Sequence, residues 1–206
     1  IANGAEPWKI PDPDAIADME VSFYEMGEGE LLPYQRDSKT LARPWIRPGT
    51  AGAEHRIGGL EKQDGTGNVS YDPANHEFMN RTRAEKVARI ADDIPDAEIF
   101  GDTSGDTLLV GWGGTYGALR AATLEMRKKG VNVSHMHIRH INPLPRNVEP
   151  TLRAFKRVIV AELNLGQLRK YLQSLYVIEL EGYSKIQGQP FRVSEIMDRV
   201  QNGEEV

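Results

Sequence analysis

The sequence predicts an α/β protein: a three-layer sandwich around a mainly parallel sheet, preceded by an extended N-terminal arm. Three observations carry this reading. Short apolar runs alternate with amphipathic stretches from about residue 75 onward, Gly or Asn stands at strand-to-helix turns, and Pro and Gly recur through the first 74 residues. Strand and helix alternating at such spacing are the mark of parallel strands with helices on both faces.

Residues 1–74 come first. Seven prolines from Pro7 to Pro73, including Pro11, Pro13, Pro33, Pro44 and Pro48, exclude long helix or central strand, because proline lacks a backbone donor. Val21 to Tyr24 is the best short strand candidate. Trp8, Phe23, Tyr24, Tyr34, Trp45 and Ile46 make the stretch too apolar for a free linker, so it reads as an arm packed on protein. Asp72-Pro73 is an N-cap followed by proline at the first helical position, and opens a helix that ends at Ile94-Pro95. Its expected apolar stripe is Phe78, Val87, Ile90 and Ile94, with Arg81, Arg83, Lys86 and Arg89 toward solvent.

The second domain is expected over 75–206. Thr107–Trp112 is an apolar run between Gly105-Asp106 and Gly113-Gly114, hence a buried strand. The next helix carries Leu119, Ala122 and Met126, ends in Arg127, Lys128 and Lys129, and is capped by Gly130. Val131–Ile138 reads as an alternating strand. Asn147 is placed to cap a helix bearing Val148, Leu152 and Phe155; 157–161 is a third strand. Asn164 is placed to cap a helix with the stripe Leu165, Leu168, Leu172 and Leu175. Residues 177–180 read as an edge strand, and Ser194 as the cap of a last helix using Ile196 and Val200. Right-handed crossovers then bring the residues after each strand to one edge of the sheet.

Composition narrows the function. The chain has 206 residues, formal net charge -5 and no cysteine. Iron–sulfur ligation and thiol chemistry therefore have no ligands here, and a mildly acidic chain argues against nucleic-acid or anionic-membrane partners. No membrane-length apolar run or secretory leader is present, and a reducing, cytoplasmic setting is expected. The chain opens on Ile1 rather than Met, which raises the expectation of a fragment.

Few residues carry chemistry. The turn Gly111 to Gly117 holds Gly113, Gly114 and Thr115, where a glycine backbone can approach a phosphate at a helix N-terminus; glycine needed only for the turn is the competing reading. Asn164, Gly166 and Gln167 follow the third strand at the same edge and complete the candidate cofactor-binding set. His135 and His137 share a strand face, but a metal is not expected beside Arg139 and without cysteine. No activated nucleophile or acid–base pair is evident, so no catalytic residue is assigned.

Six runs in order resemble the α subunits of 2-oxoacid:ferredoxin oxidoreductases, especially the 2-oxoglutarate type. They are Gly58-Gly59-Leu60-Glu61, Ser70-Tyr71-Asp72-Pro73, the Gly111 to Gly117 turn, His137 to Pro145, Glu162 to Leu168 and Lys185 to Phe191. The resemblance implies that 1–74 is the tail and connection of a pyrimidine-binding domain lying outside the chain. It implies that 75–206 is a transketolase C-terminal-like domain. It further implies a non-catalytic fragment, inactive alone, of an enzyme that oxidises a 2-oxoacid to acyl-CoA and passes electrons to ferredoxin. Thiamine diphosphate, Mg2+, a [4Fe-4S] cluster and coenzyme A belong to the complete enzyme, with none expected in this chain alone. A β subunit, ferredoxin and a possible α–α contact are the implied partners. The family's substrate-carboxylate arginine precedes Pro-Gly-Thr, which makes Arg43 or Arg47, with Thr50, the candidate substrate-binding residues. Lys62 stands where many members have His, and Gly114 where many have Ser. Alternatives are a pyruvate-type or other thiamine-dependent enzyme, a stand-alone nucleotide- or CoA-binding module, and a purely structural domain.

Overall fold

A computed structural model describes residues 12–203 except residues 17, 19, 20 and 28. Pro7, Trp8 and Pro11 of the expected arm lie outside the described residues. The chain divides into two compact units between Asp93 and Ile94.

In the leading unit, the described residues before 73 hold one short 3-10 turn, Pro13–Ala15, and two isolated bridges, Tyr34 with Gly65 and Lys62 with Val69. Residues 21–24 form no strand; Tyr24 instead donates its N–H to the Trp45 carbonyl at 2.8 Å. Helix α1, Pro73–Arg89, starts as the sequence predicts, with the Asp72 carboxylate accepting from the Ala74 N–H at 3.1 Å. Its expected stripe is wrong. Phe78, Val87 and Ile90 are exposed, while Met79 and Thr82 are buried. The reason is visible in the ties that orient α1. Asn75 donates to the Lys62 carbonyl and accepts from the Asp64 N–H, and Arg89 donates to the Ser38 and Lys39 carbonyls. These bonds also join α1 to the arm within the compact unit that ends at Asp93.

The second unit is the predicted sandwich. Its strands are β1 (Ile99–Phe100), β2 (Gly105–Trp112), β3 (Val133–Ile138), β4 (Phe155–Glu162) and β5 (Glu181–Ser184). They lie in the order β1-β3-β2-β4-β5, and all neighbours are parallel except β1 with β3. Helices α2 (Tyr116–Lys128) and α5 (Val193–Asn202) cover one face, burying Leu119, Ala122, Met126, Ile196 and Val200 against Leu109, Ile159 and Ala161. Helices α3 (Val148–Arg153) and α4 (Gln167–Tyr176) pack on the other, where Val148, Leu152, Leu168 and Leu172 meet Leu108, Val110, Val158 and Val160. Each fully buried Val, Leu, Ile or Met among them contributes about 1.5–3 kcal/mol.

Details differ where tertiary contacts override local pattern. β3 is buried on both faces apart from the partly exposed His137, so the expected alternation there is absent. Phe155 begins β4 and is not part of α3. Asn147 does not cap α3 with its side chain; its amide bridges both backbone groups of Ala97, at 2.8 and 2.9 Å. Leu165 and Leu175 are exposed. Residues 177–180 form no strand because Val177 takes a left-handed conformation at φ 51° as it ends α4, and pairing begins four residues later. Arg192, not Ser194, is the N-cap of α5.

Candidate functional site

The leading unit carries an open cavity of about 480 Å³ lined by Tyr34, Arg36, Arg43, Lys62, Arg83 and Lys86, with Glu61 and the Gly58-Gly59-Leu60 loop. That size suits a small ligand. Five cationic side chains face one carboxylate. The carboxylate is already engaged, since Glu61 accepts from His76 at 2.6 Å and from Arg83 at 3.4 Å. The His76 hydrogen bond, ahead of the Arg83 guanidinium, holds the Glu61 carboxyl below its ordinary range. Lys62 is buried and pinned by the Gly58 and Leu60 carbonyls. Arg43 lies over the Tyr34 ring, 4.1 Å from its centroid, which leaves the edge of its fork for a ligand. Burial lowers the Arg36 pKa from its usual value, with further lowering by Arg43 and Arg83 against a raising effect of Asp64. Mutual repulsion among these cations favours an anion in the cavity.

The structure thereby separates the two arginine candidates. Arg43 lines the cavity. Arg47 does not, and packs over the Phe23 ring at 4.6 Å. Thr50 is also outside the lining, and its hydroxyl donates to the Arg47 carbonyl at 2.7 Å.

The second set gathers as topology requires. β2 pairs with β3 on one side and β4 on the other, so the chain reverses direction at the carboxyl ends of β2 and β4, where open α/β sheets bind ligands. Gly113, Gly114 and Thr115 follow β2; Asn164, Gly166 and Gln167 follow β4. Their polar groups are largely spent internally. The Thr115 hydroxyl accepts from the Trp112 N–H and donates to the Trp112 carbonyl. Asn164 accepts from the Gln167 N–H at 2.9 Å. Glu162, 1% exposed, accepts from the Trp112 indole, the Leu168 N–H and the Arg169 N–H at 3.2, 2.8 and 3.0 Å. A buried carboxylate thus already sits on the α4 N-terminus, where it would repel a bound phosphate. Gly113, at φ +55°, and Gly114 face open space. Gly111 is different: a Cβ there would meet Leu119 and Thr115 at 2.2 and 2.4 Å, so this glycine serves close packing.

His135 and His137 pack with Tyr116, the ring centroids lying 5.0–5.8 Å apart. Burial, then His137 and Arg120, lowers the His135 pKa from 6.5 to about 3, so this imidazole is neutral. Among the described residues no group of three or more His, Asp or Glu side chains is set to hold a metal. The sequence reading missed Lys62, Arg36 and Lys86 as cavity residues, because no local spacing marks cations brought together from a loop, an arm and a helix.

No protein-family model matches the sequence. Individual proteins do. The chain is 44% identical over 95% of its length to 2-oxoglutarate oxidoreductase subunit KorA of Mycobacterium tuberculosis, spanning 30% of that protein. It is 30% identical over 98% of its length to 2-oxoacid:ferredoxin oxidoreductase 1, subunit alpha, of Aeropyrum pernix, spanning 33% of it. Among solved structures, the 2-oxoglutarate:ferredoxin oxidoreductase of Magnetococcus marinus, with 2-oxoglutarate, coenzyme A and succinyl-CoA bound, superposes with TM-score 0.85 and 30% identity. The superposition covers 93% of this chain and 34% of that one. The chain thus spans about a third of the length of the relatives it matches. In sequence and in fold, this chain is a homologue of the C-terminal region of the α subunit in the 2-oxoacid:ferredoxin oxidoreductase family.

Proposed function

We propose that this chain is the non-catalytic C-terminal part of an enzyme that oxidatively decarboxylates 2-oxoglutarate to an acyl-CoA and delivers electrons to ferredoxin. The observation that carries the reading is the cation surplus of the 480 Å³ cavity, with Arg43 presented on Tyr34. The ligands named for the Magnetococcus marinus relative are all multiply anionic, which is the chemistry such a cavity selects. Arg43 grips a substrate carboxylate through its planar fork; Arg36 and Lys86 supply a positive field. Arg47 and Thr50 brace the turn that precedes the cavity loop. Thiamine diphosphate supplies the electron sink for decarboxylation in the complete enzyme.

The chain has no cysteine for a [4Fe-4S] cluster, and its described residues present no cluster suited to Mg2+. In this reading both are held elsewhere, by a β subunit or by the rest of the α subunit. Residues 1–74 are the tail and connection of a pyrimidine-binding domain, and 75–206 the transketolase C-terminal-like domain. That domain acts as scaffold for β-subunit or α–α contacts. Gly113, Gly114 and Thr115, with Asn164, Gly166 and Gln167, set its ligand-facing edge. The complete enzyme, with coenzyme A as acyl acceptor, works in the cytoplasm; no helix among the described residues is long and apolar enough to cross a membrane.

The test is single substitution in the complete enzyme. Arg43→Gln is expected to raise KM for 2-oxoglutarate or lower kcat/KM at least tenfold, and Arg47→Gln to change either less than threefold. An unchanged Arg43→Gln enzyme removes Arg43 from substrate recognition. A shift confined to the KM of coenzyme A reassigns the cavity to that cosubstrate.

A further inference from the structure

The donors that line the basic cavity of the leading unit are unequally occupied. Glu61, the carboxylate of the lining, is covered by His76 and Arg83. Arg83 is engaged in turn, with one nitrogen toward Glu61 and another on the Asn80 amide oxygen at 2.9 Å. Arg36 donates to the Leu41 carbonyl at 3.2 Å and rests a second nitrogen against the Met79 sulfur at 3.8 Å. Arg43 lies over Tyr34 with its edges free.

Two lysines remain. Lys62 is 5% exposed, and its ammonium donates to the Gly58 and Leu60 carbonyls, so the loop before it wraps round the charge. Gly58 takes φ +127° there, a conformation that favours glycine. An ammonium has three N–H donors, so one is left over. Lys62 makes no ion pair among the described residues. A buried cation without a counter-ion is costly, and two carbonyls offset only part of that cost. Lys86 lies on the face of α1 that lines the cavity, seven residues beyond Met79 and three beyond Arg83. It is half-buried and makes no hydrogen bond or ion pair among the described residues.

With Glu61 and Arg83 paired to each other, Arg36, Arg43, Lys62 and Lys86 are the cavity cations without a carboxylate partner. A ligand with one carboxylate leaves most of that charge uncompensated across a single cavity. A second anionic group on the same ligand relieves the repulsion and supplies the acceptors that the lysines lack.

We propose that Lys62 and Lys86 bind the second carboxylate of a dicarboxylic 2-oxoacid whose first carboxylate is held by Arg43, and so set a preference for doubly over singly charged substrates. The inference rests on the assignment of this cavity to the 2-oxoacid substrate made above. Lys62 is the fixed contact, since its loop holds the ammonium in place. Lys86 is the adjustable one, on a flexible stem with all its donors free.

Steady-state kinetics of the complete enzyme with 2-oxoglutarate and with 2-oxopentanoate test this, because the second compound has the same carbon chain without the second carboxylate. Lys62→Met and Lys86→Met are each expected to lower kcat/KM for 2-oxoglutarate about tenfold to hundredfold, the loss of one charged hydrogen bond, and to change that for 2-oxopentanoate less than about threefold. Arg43→Gln is expected to lower both by similar factors. Lys86→Met leaves the Gly58 loop intact and carries the test if Lys62→Met does not fold. A selective loss from either lysine variant supports the proposal and names the contact. If Arg43→Gln lowers both values while the folded lysine variants leave their ratio unchanged, the second-carboxylate assignment is overturned and the substrate cavity stands. If Arg43→Gln lowers neither, the cavity is not the substrate site and the proposal falls with that reading.

Discussion

Replacing Glu162 with Gln probes the bond network that holds α4 against the sheet. The native carboxylate is 1% exposed and accepts three hydrogen bonds from N–H donors, two of them in the first turn of α4. Glutamine keeps the shape but offers one acceptor oxygen, so at least one N–H then faces an amide NH2 group. A buried donor left unsatisfied costs about 1–3 kcal/mol. The surviving bonds lose their charge assistance, and the helix N-terminus loses an anion worth about 0.3–1 kcal/mol. A loss of about 3 kcal/mol is expected, or a fall in Tm of about 12–20 °C for a unit of this size. Denaturant unfolding followed by the emission of Trp112, the indole bonded to Glu162, measures the loss, and hydrogen exchange at Leu168 and Arg169 locates it. A loss below about 1 kcal/mol with unchanged protection at those two amides would refute the assignment of Glu162 as the α4 anchor.

Three further outcomes follow from named contacts. The folded chain refuses a proton at His135 until about pH 3, whereas the unfolded chain takes it up near 6.5. Stability therefore falls as pH drops through that window, by on the order of 5 kcal/mol at the limit, and His135→Phe should flatten the slope in pH-dependent denaturation. Gly111→Ala should cost about 2–3 kcal/mol in the same assay, because its methyl meets Leu119 and Thr115 inside a closed core. Asn147→Ala removes both bonds to the backbone of buried Ala97 and should cost about 2–3 kcal/mol, with exchange at the Ala97 amide accelerated.

The parallel sandwich was legible because its signals are redundant. Leu119, Ala122 and Met126 fall on one helical face, Gly130 stands at φ +81° just past α2, and three apolar runs sit between turn residues. What failed were local signals decided by distant partners. Phe78, Val87 and Ile90 form an acceptable stripe, yet the arm pulls α1 round through Asn75 and Arg89. β1 is two residues long and leaves no pattern to read. Asn147 looks like a cap and is instead a bridge to a segment fifty residues earlier. Within the candidate site, the run Pro48-Gly49-Thr50 singled out Arg43 and Arg47 together, and their separation rests on which side chain lines a cavity.

The two borders of the sheet have a consequence for how this domain meets other proteins. Parallel strands with unpaired N–H and C=O groups along an outer rim invite an intruding chain to zip on. Here one rim ends in the two residues of β1, with Arg120 lying over Phe100, and the other in the four residues of β5. Neither offers enough backbone for a guest strand to gain register. A contact made by another chain at either rim therefore runs through side chains and loops, which can discriminate between partners, while accidental fibre-like stacking is disfavoured by the sheet's own geometry.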